Sequence, residues 1–177
     1  MGKSQYILKF GGLPTGVHEY TFEITGTFFN GTEYSEISRA GIVVNARLTK
    51  QNNLMQIHFE LQGTVGIECD RCLKDFDFPI HANEDLVIRH GKPSESTDEI
   101  LVVPEGQDEV DISHYLYEYI TLALPARRVA CELDEERFEC DEDTLKRLED
   151  LSHEGAQDNN ENNPMWEQLN KIKYNKN

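Results

Sequence analysis

The chain has 177 residues, 38% of them hydrophobic, with 17 basic and 33 acidic side chains for a formal charge of −16. That length and composition support one well-buried core plus some loosely packed chain, and no run approaches the ~18 apolar residues of a membrane-spanning helix. Residues 1–92 carry nine basic against eleven acidic side chains and residues 93–177 carry eight against twenty-two, so the second half repels nucleic-acid phosphates and suits a basic partner.

The first residues, MGKSQYILKF, have neither the long apolar stretch nor the small-residue cleavage site of a signal peptide, which predicts a soluble, cytoplasmic protein. SQYILKF reads as a strand. In HEYTFEIT, Tyr20, Phe22 and Ile24 alternate with Thr21, Glu23 and Thr25, the period of a strand with one buried face. A short helical or irregular stretch, GTEYSEISRAG, leads to GIVVNARLTK and LMQIHFELQGTVGIEC. The turn chemistry of Gln51, Asn52 and Asn53 joins these two runs into an antiparallel hairpin. FDFPIHANEDLVIRH continues the alternation, with Pro79 marking an edge position or a bulge.

GKPSESTD is a polar loop, EILVVP a short strand and EGQDEVD an acidic turn. The period then changes. Ile112, Leu116, Tyr119, Ile120 and Ala123 fall on one face of a helix that Asp111 is placed to cap and Pro125 to end. CELDEERFECDED sets eight acids against Arg137, and TLKRLEDLSHEG predicts a short helix with Leu145, Leu148 and Leu151 in a stripe and Gly155 as the stop. AQDNNENN is a polar linker. Asn163 and Pro164 then open a terminal helix whose Met165, Trp166, Leu169 and Ile172 make a second stripe, either folded back on the core or presented to a partner's groove. The reading is α+β: a curved antiparallel sheet, barrel-like, with one main packed helix and a helical C-terminal tail. It divides into a single domain over 1–154 and a flexible linker plus short Trp-containing helix over 155–177.

Catalytic signatures are missing: the sequence contains no Gly-x-Ser-x-Gly elbow, phosphate-binding glycine loop or His-Glu-x-x-His. The six histidines are scattered, and a metal-dependent nuclease would need two or three acids converging on one cation. The cysteines carry more information. Cys69 and Cys72 in GIECDRCLKDF have the spacing of a metal-binding knuckle, and Cys131 with Cys140 would complete four thiolates around a tetrahedral zinc ion. The second pair is wider than usual, with eight residues between its members. A thioredoxin-type redox pair would need its first cysteine at a helix N-terminus, whereas the surroundings here are strand-rich. In a reducing cytosol, four cysteines read as thiols or metal ligands rather than disulfides. Arg71, between the first two, is placed for a bidentate contact to phosphate or carboxylate, with a structural salt bridge as the alternative.

Three ordered blocks carry a family resemblance: GTVGIECDRCLKDFDFPI, EVDISHYLYEYITLALPARRVAC and NNPMWEQLNKI. Together they resemble the YceD family, named for accumulation of large-subunit ribosomal RNA. The resemblance spans most of residues 60–172 and rests on Cys69, Asp70, Arg71, Cys72 and Leu73, the helix ending in Leu124 and Pro125, and Pro164 with Trp166. It implies a non-enzymatic factor for large-subunit (23S) rRNA processing or accumulation, acting on precursor particles or on a basic ribosomal protein or assembly factor. Cys69, Asp70, Arg71, Cys72, Leu73 and Trp166 are then its candidate binding residues. The alternative is a zinc-dependent protein–protein adaptor without an RNA role.

Overall fold

In a computed structural model of the protein, the structure describes residues 5–31, 35–52, 54–97, 99–133 and 138–157. Four long strands form an antiparallel meander: β2 (Gly16–Thr25), β3 (Arg39–Lys50), β4 (Met55–Glu68) and β5 (Asp75–His90). A short strand, β6 (Ile100–Val103), joins β5 in parallel, giving the order β2-β3-β4-β5-β6. Strands β1 (Ile7–Lys9) and β7 (Glu109–Asp111) pair separately as a two-stranded antiparallel sheet.

Alternation decides the faces. Ile42, Val44, Ala46 and Leu48 of β3 and Met55, Ile57, Phe59 and Leu61 of β4 are buried in one core. The residues that alternate with them hold the opposite face in rows such as Glu19–Arg47–His58–Asp85 and Thr21–Asn45–Glu60–Asn83, which stay in water. The hairpin read from residues 51–53 is present, with Lys50 opposite Met55. Near its far end Gly63 lies against β3 so closely that a Cβ there would come within 2.1 Å of the Gly41 carbonyl oxygen. Past this point β4 buries Val65, Gly66 and Ile67 in succession and delivers the chain to Cys69 inside the protein.

The core is closed by α1 (Ser113–Leu122), whose Leu116, Tyr119 and Ile120 are buried and whose Tyr119 ring lies 5.6 Å from that of Phe59. Ile112 takes the N-cap position expected for Asp111, whose carboxylate, one residue earlier, still accepts a hydrogen bond from the first-turn Ser113 N–H at 2.9 Å. Two further helices follow, α2 (Ala130–Leu133) and α3 (Glu142–Gln157).

Four expectations need correcting. The sheet is mixed and open rather than wholly antiparallel and barrel-like: β2 and β6 stand at opposite ends of the order, and β6 runs parallel to β5. The acidic turn after β6 contains a strand, β7, which the sequence hides because three residues flanked by acids carry little periodicity. Helix α3 runs through Gly155, read as its stop, to Gln157. The stretch read as helical or irregular over GTEYSEISRAG ends early, because Arg39–Gly41 already belong to β3, and a 3-10 turn, Gly26–Gly31, leads into it. Pro79 fits its edge reading. It lies opposite Thr64 on one side, while on the other β6 covers only Val87–His90 and leaves residue 79 at an uncovered edge. The terminal helix with Trp166 lies outside the described residues.

Candidate metal centre

Strand β4 ends at Glu68 and β5 begins at Asp75, and the six residues between them form a tight turn. The Leu73 N–H donates to the Cys69 carbonyl at 2.9 Å and the Cys69 N–H to the Lys74 carbonyl at 3.0 Å. This winding forces Leu73 to φ 59°, the left-handed region that normally favours glycine, and leaves its side chain 71% exposed. Cys69 is fully buried and Cys72 nearly so. Both are free thiols.

Backbone donors surround the first sulfur. Burial pushes the Cys69 thiol up, but the N–H groups of Ala130, Cys72 and Arg71 and a hydrogen bond from Cys72 outweigh burial and hold it below its ordinary value. The Ala130 N–H reaches Cys69 Sγ at 3.4 Å because α2 starts directly over the turn. Asp70 fixes that placement from both sides. Its N–H donates to the Arg128 carbonyl at 2.9 Å, and its carboxylate accepts the Arg128 N–H at 2.7 Å. The Arg128 guanidinium, mostly buried, lies 2.7 Å from Glu36 and 3.7 Å from Asp70. Its hydrogen bond to Glu36 raises its already high pKa.

The second pair of cysteines arrives with α2 and the segment after it. Phe138 stacks edge-on against Phe76 of β5 at 5.1 Å, and Lys74 Nζ donates to the Glu139 carbonyl at 3.4 Å, which brings Cys140 to the turn. Cys131 and Cys140 are joined as a disulfide, with Cα atoms 5.6 Å apart. Their pairing differs from the expectation of thiols or metal ligands throughout. Cys140 Sγ is also 4.0 Å from Cys69 Sγ, and the sulfurs of Cys69, Cys72 and Cys140 lie within 4.8 Å of one another. Thiolates on a tetrahedral zinc ion, with bonds of ~2.3 Å, stand about 3.8 Å apart. Three all-sulfur donors at that spacing, two of them shielded from water, fit a soft divalent ion, and the fourth sulfur is bonded to one of the three.

The structure therefore brings together Cys69, Cys72, Cys131 and Cys140 across 71 residues of sequence, with Asp70 as the clamp that holds the two segments in register. Arg71 points instead to Glu132, 3.9 Å away, with both side chains half-exposed. Arg71 also borders a groove shared with Leu145, Leu148, Glu149 and Ser152 of α3, while Leu73 borders another with Glu36, Ile37, Cys69, Asp70 and Arg128. Trp166 lies outside the described residues. Sequence reading missed Arg128 and Glu36: Arg128 stands in one of the resembling blocks, but no spacing rule shows that a residue 58 positions away accepts its N–H. Among the described residues, no group of three carboxylates gathers to hold a cation.

The family profile described as "Large ribosomal RNA subunit accumulation protein YceD" matches residues 57–173, well over half of the chain. The chain belongs to the YceD family. The match begins within β4 and covers the knuckle turn, α1, the second cysteine pair and α3, leaving β1 to β3 outside it. A role in ribosome biogenesis, through large-subunit rRNA, follows from the family's description. Neither a curated protein nor a solved structure matches the chain.

Proposed function

We propose that this YceD-family protein is a cytoplasmic, non-enzymatic binding factor for large-subunit assembly. It supports 23S rRNA processing or accumulation by engaging a basic ribosomal protein or assembly factor on precursor particles. The observation that carries this reading is the state of the arginines in the near-neutral half. Arg39 lies between Asp75 at 3.4 Å and Asp77 at 3.1 Å, Arg47 faces Glu19 at 3.6 Å, Arg89 meets Glu95 at 2.9 Å and Arg71 meets Glu132. Phosphate binding draws its affinity from basic groups that release counterions, and groups already neutralised by carboxylates release few. The unbalanced charge is acidic and lies in the other half, where it suits a basic partner.

The knuckle fits this role as a structural support. A zinc ion held by Cys69 and Cys72, and by Cys131 and Cys140 once the disulfide between them is reduced, would supply a crosslink and no reaction chemistry. Asp70 and Arg128 then align the segment carrying α2 and α3, and Arg71 and Leu73 occupy the rims of the two grooves, where a partner could be read. Trp166, beyond α3 in the sequence, would add an aromatic docking contact for the same partner.

Co-sedimentation with precursor large-subunit particles tests the acidic contact. It is expected to weaken steeply as monovalent salt rises from about 50 to about 300 mM, over which the Debye length falls from about 14 to about 6 Å. Association indifferent to salt would contradict it. The cysteine cluster favours a second reading, a zinc-dependent adaptor with no RNA role, which predicts stoichiometric zinc together with unchanged rRNA when the protein is removed.

A further inference from the structure

Cys140 has two competing partners. It is bonded to Cys131, and it is also the third member of the sulfur group with Cys69 and Cys72 that could hold an ion. A sulfur cannot be a thiolate ligand and half of a disulfide at once, so the two arrangements exclude each other. Exposure separates the four cysteine residues further. Cys69 is 0% and Cys72 6% exposed, whereas Cys131 and Cys140 are only partly buried. A small oxidant from solvent therefore meets the second pair first.

We propose that Cys131 and Cys140 form an oxidation site at which a hydroperoxide exchanges metal-holding thiolates for the disulfide. This rests on the zinc reading above. One of the two sulfurs attacks the hydroperoxide O–O bond; a sulfenic acid forms and an alcohol leaves, or water in the case of hydrogen peroxide. The other sulfur attacks the sulfenic sulfur, the S–S bond forms, the S–O bond breaks and water leaves. Two thiols have then given two electrons to the peroxide. Cys69 and Cys72 alone remain as ligands, too few for a closed four-coordinate site. A dithiol reductant reverses the change by thiol–disulfide exchange, restoring both sulfurs. The Asp70–Arg128 hydrogen bonds and the Phe76–Phe138 contact involve no sulfur, so the second segment stays beside the turn in both states and the pair can re-form its site.

The test uses the full chain, reduced, supplied with zinc and freed of excess metal. Zinc content is measured first, and hydrogen peroxide is then added while a chromophoric indicator follows released zinc. Thiols are counted, and the linkage is mapped by mass spectrometry of unreduced peptides. The expected result is one bound zinc per chain before oxidant, then its loss together with two of the four thiols, a Cys131–Cys140 linkage, and rebinding of zinc after dithiothreitol. A Cys131→Ser variant should form no such linkage. Zinc lost with a Cys69–Cys72 or Cys69–Cys140 linkage, or retained after Cys131 and Cys140 have joined, would overturn the exchange and leave the zinc reading standing. Reduced protein that takes up no zinc would overturn both, and that result is seen before any oxidant is added.

Discussion

At the scale of single residues, Leu73 separates the demands of the fold from those of a partner. A leucine in the left-handed region costs ~1–2 kcal/mol relative to a right-handed conformation, and glycine does not incur that cost. Leu73 returns little of it through burial, being 71% exposed at the rim of a groove. Leu73→Gly is therefore expected to stabilise the fold by about 1 kcal/mol, read as a higher denaturant midpoint, while weakening association with precursor particles. A destabilised variant would show that the side chain packs in the fold after all. Asp70 makes the opposite case. Its carboxylate accepts the Arg128 N–H and lies beside a mostly buried guanidinium, so Asp70→Ala removes a charge-assisted bond and should cost about 1–3 kcal/mol in a denaturant titration. If the cysteine cluster depends on that clamp, the same variant also holds zinc more weakly.

At the scale of elements, α3 has a cap whose strength follows pH. The Asp141 carboxylate accepts the Thr144 N–H at 2.8 Å, and hydrogen bonds from Thr144 hold Asp141 below the usual carboxylate value of 3.8. A group with a lowered folded pKa contributes stability above its unfolded value and loses it as pH falls through the folded one. The protection factors of the first-turn amides of α3, corrected for the intrinsic slowing of exchange with falling pH, should therefore hold down to about pH 4 and drop below it. Asp141→Asn should remove that dependence. What the sequence revealed about elements follows from how local each signal is. The β3–β4 hairpin was readable because Lys50 and Met55 flank a short turn, and both strands alternate cleanly up to Gly63. The β1–β7 pairing was not, because Leu8 meets Val110 across about a hundred residues and neither strand exceeds three residues. Barrel closure failed as a reading for the same reason: alternation fixes which face is buried and says nothing about whether β2 ever meets β6. The cysteine cluster was half legible. The Cys69–Cys72 spacing pointed to a knuckle, but the approach of Cys140 depends on the Phe76–Phe138 contact and the Asp70 clamp, which are tertiary.

At the scale of the whole molecule, charge and sulfur define complementary parts. The arginines of the long strands are paired with carboxylates, Glu95 of the second half among them, and offer little to phosphates, while the segment after α1 meets the sheet at the turn that carries Cys69 and Cys72. Binding of a basic partner and integrity of the cysteine site are thus linked by position, since α2 and α3 follow directly from the clamped segment. In reduced protein loaded with zinc, a chelator should accordingly loosen the second segment more than the sheet, which amide exchange would report as faster exchange in α2 and α3 with β3 and β4 unchanged.

The central claim is that the protein sustains large-subunit rRNA through this architecture. Its most direct test is the ratio of large- to small-subunit rRNA in cells lacking the protein, complemented by wild type or by Cys69→Ser/Cys72→Ser at matched abundance. The account predicts a lowered ratio that wild type restores and the double variant does not. A ratio that stays unchanged when the protein is removed would contradict it.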